Sequence, residues 1–90
     1  MDQRIEGFVW LDWVVDKIIE KHNVNTAQVE EAFFTLHFKL LRAKKGKYRL
    51  YSRADDGRYL FIVFVWEGRM VKVISAREMT DKERQFYRQK

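Results

Sequence analysis

The sequence predicts an α+β domain. Two helices come first, an antiparallel sheet of two consecutive hairpins plus a short N-terminal strand forms the middle, and a helix closes the chain. Three observations carry this. Apolar residues recur at helical spacing in two segments before residue 37. Three β-prone segments between 47 and 76 are divided by "ADDG" at 54–57 and "EG" at 67–68. "TDKE" at 80–83 has the spacing of a capping box. The chain has 90 residues, the length of one domain spanning 1–90.

Each element follows from its own residues. Glu6 to Leu11, "EGFVWL", reads as a short strand. Asp12 is placed to cap a first helix running to about Lys21, with Val14, Val15, Ile18 and Ile19 as its apolar stripe. Asn23 suits the left-handed conformation that ends a helix. Asn25 caps a second helix with Gln28 at its third position, and Val29, Ala32, Phe33 and Leu36 follow at i, i+3, i+4 and i+7. "HFKLLRAKKGK" at 37–47 reads as a basic connection bent at Gly46.

The sheet follows. Lys47 to Arg53 alternates, with Tyr48 and Leu50 on one face and Lys47, Arg49, Tyr51 and Arg53 on the other. Gly57 supplies positive φ in the first hairpin turn. Tyr59 to Trp66 is almost wholly apolar, as in a central strand covered on both faces. Arg69 to Ala76 is the next strand, and Thr80 with Glu83 opens the last helix.

Composition narrows the functional classes. There is no cysteine, so no disulfide framework and no thiolate metal site, which agrees with a cytoplasmic protein. "MDQRIEGF" lacks the pattern of a signal peptide, and the longest apolar run is too short to span a bilayer. No His/Asp/Glu set has metal-ligand spacing, and neither a metal nor a cofactor is expected. The net charge of +5 is lopsided: residues 1–38 hold three Lys/Arg against seven Asp/Glu, and 39–90 hold fifteen against six. A basic half points to a polyanion partner; a protein that is merely soluble and basic is the competing reading.

The candidate site residues are cations and aromatics. Lys47, Arg49 and Arg53 share a strand face with Tyr51 among them, a pattern that suits a phosphate backbone with a stacked base. The same row also suits a solvated face that resists aggregation. Arg53 and Arg77 are expected at one end of the sheet because alternate strands run the same way. Arg58 starts the central strand at that end, and Arg84 follows one turn into the last helix. Guanidinium groups converging there would grip phosphate with paired donors. A salt bridge from Arg77 to Glu78, Asp81 or Glu83 is the alternative. His22, beside Lys21, suits proton transfer near neutrality or complements the helix dipole. Tyr87 suits proton transfer, stacking, or packing on the sheet.

These residues carry a resemblance. "FVWLD" at 8–12, "KHNV" at 21–24, "DDGRYLFIVF" at 55–64 and above all "VISAREMTDKERQFY" at 73–87 resemble the BrnT toxin family of type II toxin–antitoxin systems, over nearly the full length. The resemblance implies a RelE-like fold, a bacterial endoribonuclease that needs no metal, and a small DNA-binding antitoxin of ribbon–helix–helix type as partner. A homodimer and a toxin–antitoxin hetero-oligomer are both open as its assembly. Residue by residue, the family's Lys–His pair falls on Lys21 and His22, its strand-end arginine on Arg53, its Ser-Ala-Arg arginine on Arg77, and its helix Glu-Arg on Glu83 and Arg84. Asn23 replaces the family's usual glycine, and "TLHFKLLRAKK" replaces its usual Asp-Pro segment.

The expected chemistry is attack of a 2′-hydroxyl on the adjacent phosphate. Arg53 and Arg77 would hold the phosphate, Lys21 or His22 would assist proton transfer, and Lys47, Arg49, Tyr51, Arg58, Arg84 and Tyr87 would bind RNA. The rival reading is a module that binds RNA or an acidic protein and cuts nothing. A third is a scaffold within a protein complex, with Trp10, Trp13, Phe34 and Phe38 as its apolar patch.

Overall fold

The computed structural model describes residues 4–90, which form three helices and a five-stranded sheet. In chain order these are β1 (Gly7–Val9), α1 (Asp12–His22), α2 (Thr26–Ala32), β2 (Lys39–Arg42), a single 3-10 turn (Lys44–Gly46), β3 (Tyr48–Arg53), β4 (Tyr59–Glu67), β5 (Met70–Glu78) and α3 (Asp81–Arg88). The sheet order is β1-β5-β4-β3-β2. The two expected hairpins are β3–β4 and β4–β5, both antiparallel. β1 pairs parallel to β5, so the sheet is mixed.

Four local expectations change. Asp12 is the first residue of α1, not its cap; Leu11 holds the cap position and no side chain caps there. α2 stops at Ala32, leaving Leu36 almost wholly exposed. The "basic connection" contains a strand, β2, which pairs with β3 from Lys39 opposite Tyr51 to Arg42 opposite Tyr48. Its alternation was hidden by two adjacent leucines. β5 runs two residues past Ala76, so Arg77 lies within the strand, opposite Phe61.

Other local readings hold. Asn23 is left-handed at φ 52°, and its N–H reaches the Ile19 carbonyl. Both capping boxes are complete, Asn25 with Gln28 and Thr80 with Glu83. Each satisfies two backbone donors that a helix start leaves without partners.

The two faces of the sheet are covered differently. On one, Leu50, Leu60, Ile62, Phe64, Val71, Val73 and Ala76 pack against Val14 and Ile18 of α1 and Val29, Ala32 and Phe33 at α2. This is the main core. The buried Ser52 hydroxyl lies on this face and donates to the Ala32 carbonyl at 2.7 Å. Ile74 has no partner opposite in β4, and Lys17 of α1 donates to its carbonyl at 3.1 Å. On the other face α3 makes a second, smaller cluster of Tyr51, Met79 and Tyr87, with Tyr59, Phe61 and Phe86 against it. Val63 and Val65 of that face stay half-buried, so the central strand is fully buried on one side alone.

Candidate functional site

The α3 face gathers the cations at one end. Arg53 stands opposite Tyr59, and Tyr51 and Arg77 stand on either side of Phe61. Period-two alternation puts Arg53, Tyr59, Phe61 and Arg77 on the same face. α3 then brings Arg84 and Arg88, one turn apart, over the same strands. Three guanidinium groups lie over the Tyr59 ring: Arg53 at 4.6 Å from its centroid, Arg84 at 4.8 Å and Arg88 at 5.3 Å. Arg77 lies over Phe61 at 4.4 Å, and Lys39 over Phe86 at 4.9 Å. Cations are drawn to the negative face of each ring.

The partners of these cations separate them into two kinds. Arg77 is paired. Its two Nη atoms donate to the two oxygens of Glu83 at 2.7 and 2.9 Å, and Nη1 also reaches the Glu78 carbonyl. This is the salt bridge that the sequence left as an alternative. Glu83 holds the Arg77 pKa above the ordinary arginine value, and Arg77 holds Glu83 below the ordinary glutamate value. Arg53, Arg84 and Arg88 have no carboxylate partner among the described residues. Arg53 Nε donates to the Gly57 carbonyl at 3.1 Å, Arg88 Nη2 donates to the Tyr59 hydroxyl at 3.2 Å, and Arg84 Nε is buried without a partner. Gly57 has φ +93°, and a Cβ there would sit 3.0 Å from Arg53 Nη2, so both turn and site favour glycine.

Arg58 is at the same end of the sheet but in the other layer. It donates to the carbonyls of His22 and Asn23 and to Gln28 Oε1, and pairs with Glu78 at 3.4 Å. It therefore closes the C-terminus of α1 and joins that helix to the hairpin turn. Lys21 and His22 stand at this helix end. The Gly57 carbonyl accepts from Arg53, and the neighbouring Arg58 side chain donates to the His22 carbonyl.

The remaining candidates are spread out. Lys47 is exposed and lies in the turn before β3. Arg49 is on the α3 face, two rows from Arg53, and its Nε is buried without a partner. Tyr51 is buried, edge-on to Phe61 and Phe86, so it is not the open platform its neighbours in sequence suggest. Tyr87 is also buried. Its hydroxyl donates to the His37 carbonyl at 3.0 Å, His37 Nε2 bonds the Tyr87 carbonyl at 2.7 Å, and burial raises the pKa of the Tyr87 hydroxyl. Of the four aromatics read as a surface patch, Trp13 and Phe34 are exposed; Trp10 and Phe38 are half-buried against the core. Among the described residues no His/Cys/Asp/Glu group is arranged to hold a metal, and no helix is long and apolar enough to cross a membrane.

Sequence reasoning missed Tyr59 and Arg88. The signal for Tyr59 was available: it is opposite Arg53 once the "ADDG" turn sets the register. Arg88 follows Arg84 by four residues on one helix face.

Comparison with known proteins supplies the context. A sequence model of the family described as "Ribonuclease toxin, BrnT, of type II toxin-antitoxin system" matches residues 13–83. Among solved structures, the fold is similar to the crystal structure of the Brucella abortus ribonuclease toxin BrnT. The TM-score is 0.70 at 19% sequence identity, over 83% of this chain and 97% of that one. At that identity the likeness speaks for the fold. No curated protein matches the chain.

Proposed function

The chain belongs to the BrnT family of ribonuclease toxins of type II toxin–antitoxin systems, and from that premise we propose that it is an endoribonuclease that cuts RNA without a metal ion. The RNA would supply its own nucleophile, the 2′-hydroxyl. This oxygen bonds to the adjacent phosphorus as the bond to the 5′-oxygen breaks. The products are a 2′,3′-cyclic phosphate and a 5′-hydroxyl. The 2′-hydroxyl gives up its proton and the departing 5′-oxygen takes one.

One observation carries the reading: Arg53 and Arg77 share one face at one end of the sheet, in adjacent rows. Arg53 would hold the phosphate and stabilise the charge that develops on it. Preorganised donors of this kind are worth about 10²–10³ in rate each. Arg77 adds positive charge and, through Glu83, fixes where α3 begins and so where Arg84 stands. Lys21 and His22, at the end of α1, would serve proton transfer. The partner that neutralises the toxin would be a small DNA-binding antitoxin of ribbon–helix–helix type.

The test is incubation of purified protein with end-labelled single-stranded RNA in excess EDTA. Wild type is expected to cut and to leave cyclic-phosphate ends, with Arg53→Ala about a hundredfold slower. Binding without cutting, with and without ribosomes, would replace the ribonuclease reading by that of an RNA-binding module.

A further inference from the structure

Tyr59 is the one ring on this protein that carries three guanidinium groups among the described residues. Those groups come from two elements, β3 and α3, and none has a carboxylate partner among the described residues. Three like charges around one ring repel each other, and in ordinary surface clusters acidic side chains relieve the repulsion. Acidic residues are close in sequence here: Glu83 precedes Arg84, and Asp55 and Asp56 follow Arg53. Two of the three are used elsewhere: Glu83 is taken by Arg77 and the α3 cap, and Asp56 accepts from Gln28 and the Arg58 backbone N–H. Asp55, whose backbone N–H donates to Glu31, makes no ion pair with the trio. The trio is left charged, clustered and held on an aromatic post.

We propose that Tyr59 and Arg88 complete, with Arg53 and Arg84, a phosphodiester-binding subsite for single-stranded RNA. The inference rests on the ribonuclease reading and adds two residues to it. Tyr59 is a positioning residue: its ring orders the guanidinium groups and its hydroxyl accepts from Arg88. Arg53, Arg84 and Arg88 present the donors. Guanidinium forks match the paired oxygens of a phosphodiester.

Carboxylates of a protein partner would satisfy the same forks. The neighbourhood favours nucleic acid. The adjoining rings Phe61 and Phe86 each carry a cation, Arg77 and Lys39, and both rings are partly open to solvent. Alternating cations and aromatic rings follow a strand of phosphates and bases. An acidic peptide has no use for the rings.

The experiment measures binding of a 2′-O-methyl oligoribonucleotide, which has no free attacking hydroxyl, across a range of salt. Each lost phosphate contact lowers the slope of log K against log salt by roughly 0.7 for a single strand. Arg88→Gln is expected to lower the slope by about that amount and weaken binding about tenfold. Lys82→Gln, an exposed cation of the same helix, is expected to leave both unchanged. Tyr59→Phe keeps the ring and is expected to stay within about twofold of wild type, whereas Tyr59→Leu falls about tenfold with its helix signal intact. Arg88 is exposed, so its variant tests the subsite even where Tyr59→Leu does not fold. A slope and affinity unchanged in Arg88→Gln would overturn the subsite, as would a polyglutamate peptide bound as tightly as the oligonucleotide. Binding that depends on Arg88, with no cutting of ordinary RNA by wild type, supports the subsite and counts against the ribonuclease reading alone.

Discussion

Arg77 and Glu83 meet through two parallel hydrogen bonds of 2.7 and 2.9 Å, and the same carboxylate accepts from the Thr80 N–H at 2.8 Å to cap α3. One side chain thus ties the end of β5 to the first turn of the helix that carries Arg84 and Arg88. Bidentate geometry makes this pair stronger than an ordinary surface ion pair, while its partial exposure limits its worth.

Arg77→Ala and Glu83→Gln are therefore expected to cost about 1–2 kcal/mol each in urea unfolding. They are each other's partner, so their effects should not add. A double-mutant cycle should return a coupling of about 1 kcal/mol. Additive effects would mean the pair is not formed in solution. Arg77→Ala would also slow RNA cleavage, and the stability measurement separates loss of the tether from loss of charge at the site.

The acid limb of stability follows from the same carboxylate. Arg77's hydrogen bonds, ahead of the Thr80 backbone, hold Glu83 below the ordinary glutamate range. A group whose folded pKa is depressed stabilises the fold fully above its unfolded pKa, near ~4.3, and loses that contribution as pH falls through the folded value. Stability should drop between about pH 5 and pH 3. Glu83→Gln should be less stable than wild type at neutral pH and should fall less across that window. Asp56, also lowered by the Arg58 backbone N–H and by Gln28, titrates in the same region, so the variant's profile should flatten in part. Urea midpoints measured from pH 3 to pH 7 would check the difference.

Two residues three apart at the end of α2 should behave oppositely. Phe33 is fully buried, edge-on to Phe8 at 5.3 Å and to Phe64 at 5.0 Å. Phe33→Ala should cost about 3–5 kcal/mol, a large share of a small domain's stability. Leu36 is 97% exposed, and Leu36→Ala should stay within about 0.5 kcal/mol of wild type. Thermal midpoints of the two variants suffice to tell them apart.

That pair also marks where the sequence could be read and where it could not. Local signals were legible: Asn25 with Gln28, Thr80 with Glu83 and Asn23 each act within four residues, and each appears as expected. Leu36 fits the helical spacing of Val29, Ala32 and Phe33, yet α2 stops first. The chain has to turn there to reach β2, with Thr35 Oγ1 donating to the Arg53 carbonyl at 2.6 Å. In sequence β2 reads as a basic connection because Leu40 and Leu41 break alternation and its cations look like solvated loop. Edge pairing to β3, a long-range contact, makes it a strand. At the site, the shared end of Arg53 and Arg77 was legible from the hairpin register. Their partners were legible only in part: Glu83 is one of three carboxylates near Arg77 in sequence, and which arginines meet Tyr59 depends on where α3 lands on the sheet.

The same landing sets the ionisation of two tyrosines in opposite directions. Tyr59 is lowered, first by the hydrogen bond from Arg88 and then, against some desolvation, by the charges of Arg53, Arg88 and Arg84. Tyr87, four residues beyond Glu83 on α3, is raised by burial. A tyrosine near positive charge favours the phenolate, and a buried one disfavours it. In a pH titration of the tyrosine ring-carbon NMR signals, Tyr59 should therefore lose its proton at lower pH than Tyr87. Arg88→Gln should move Tyr59 upward and leave Tyr87 in place, because Arg88 touches one hydroxyl and not the other. Occupation of the arginine trio by a phosphodiester should also move Tyr59 upward, since the bound anion offsets the field that lowers it. A Tyr59 titration indifferent to both changes would mean that α3 does not hold its arginines over this ring in solution.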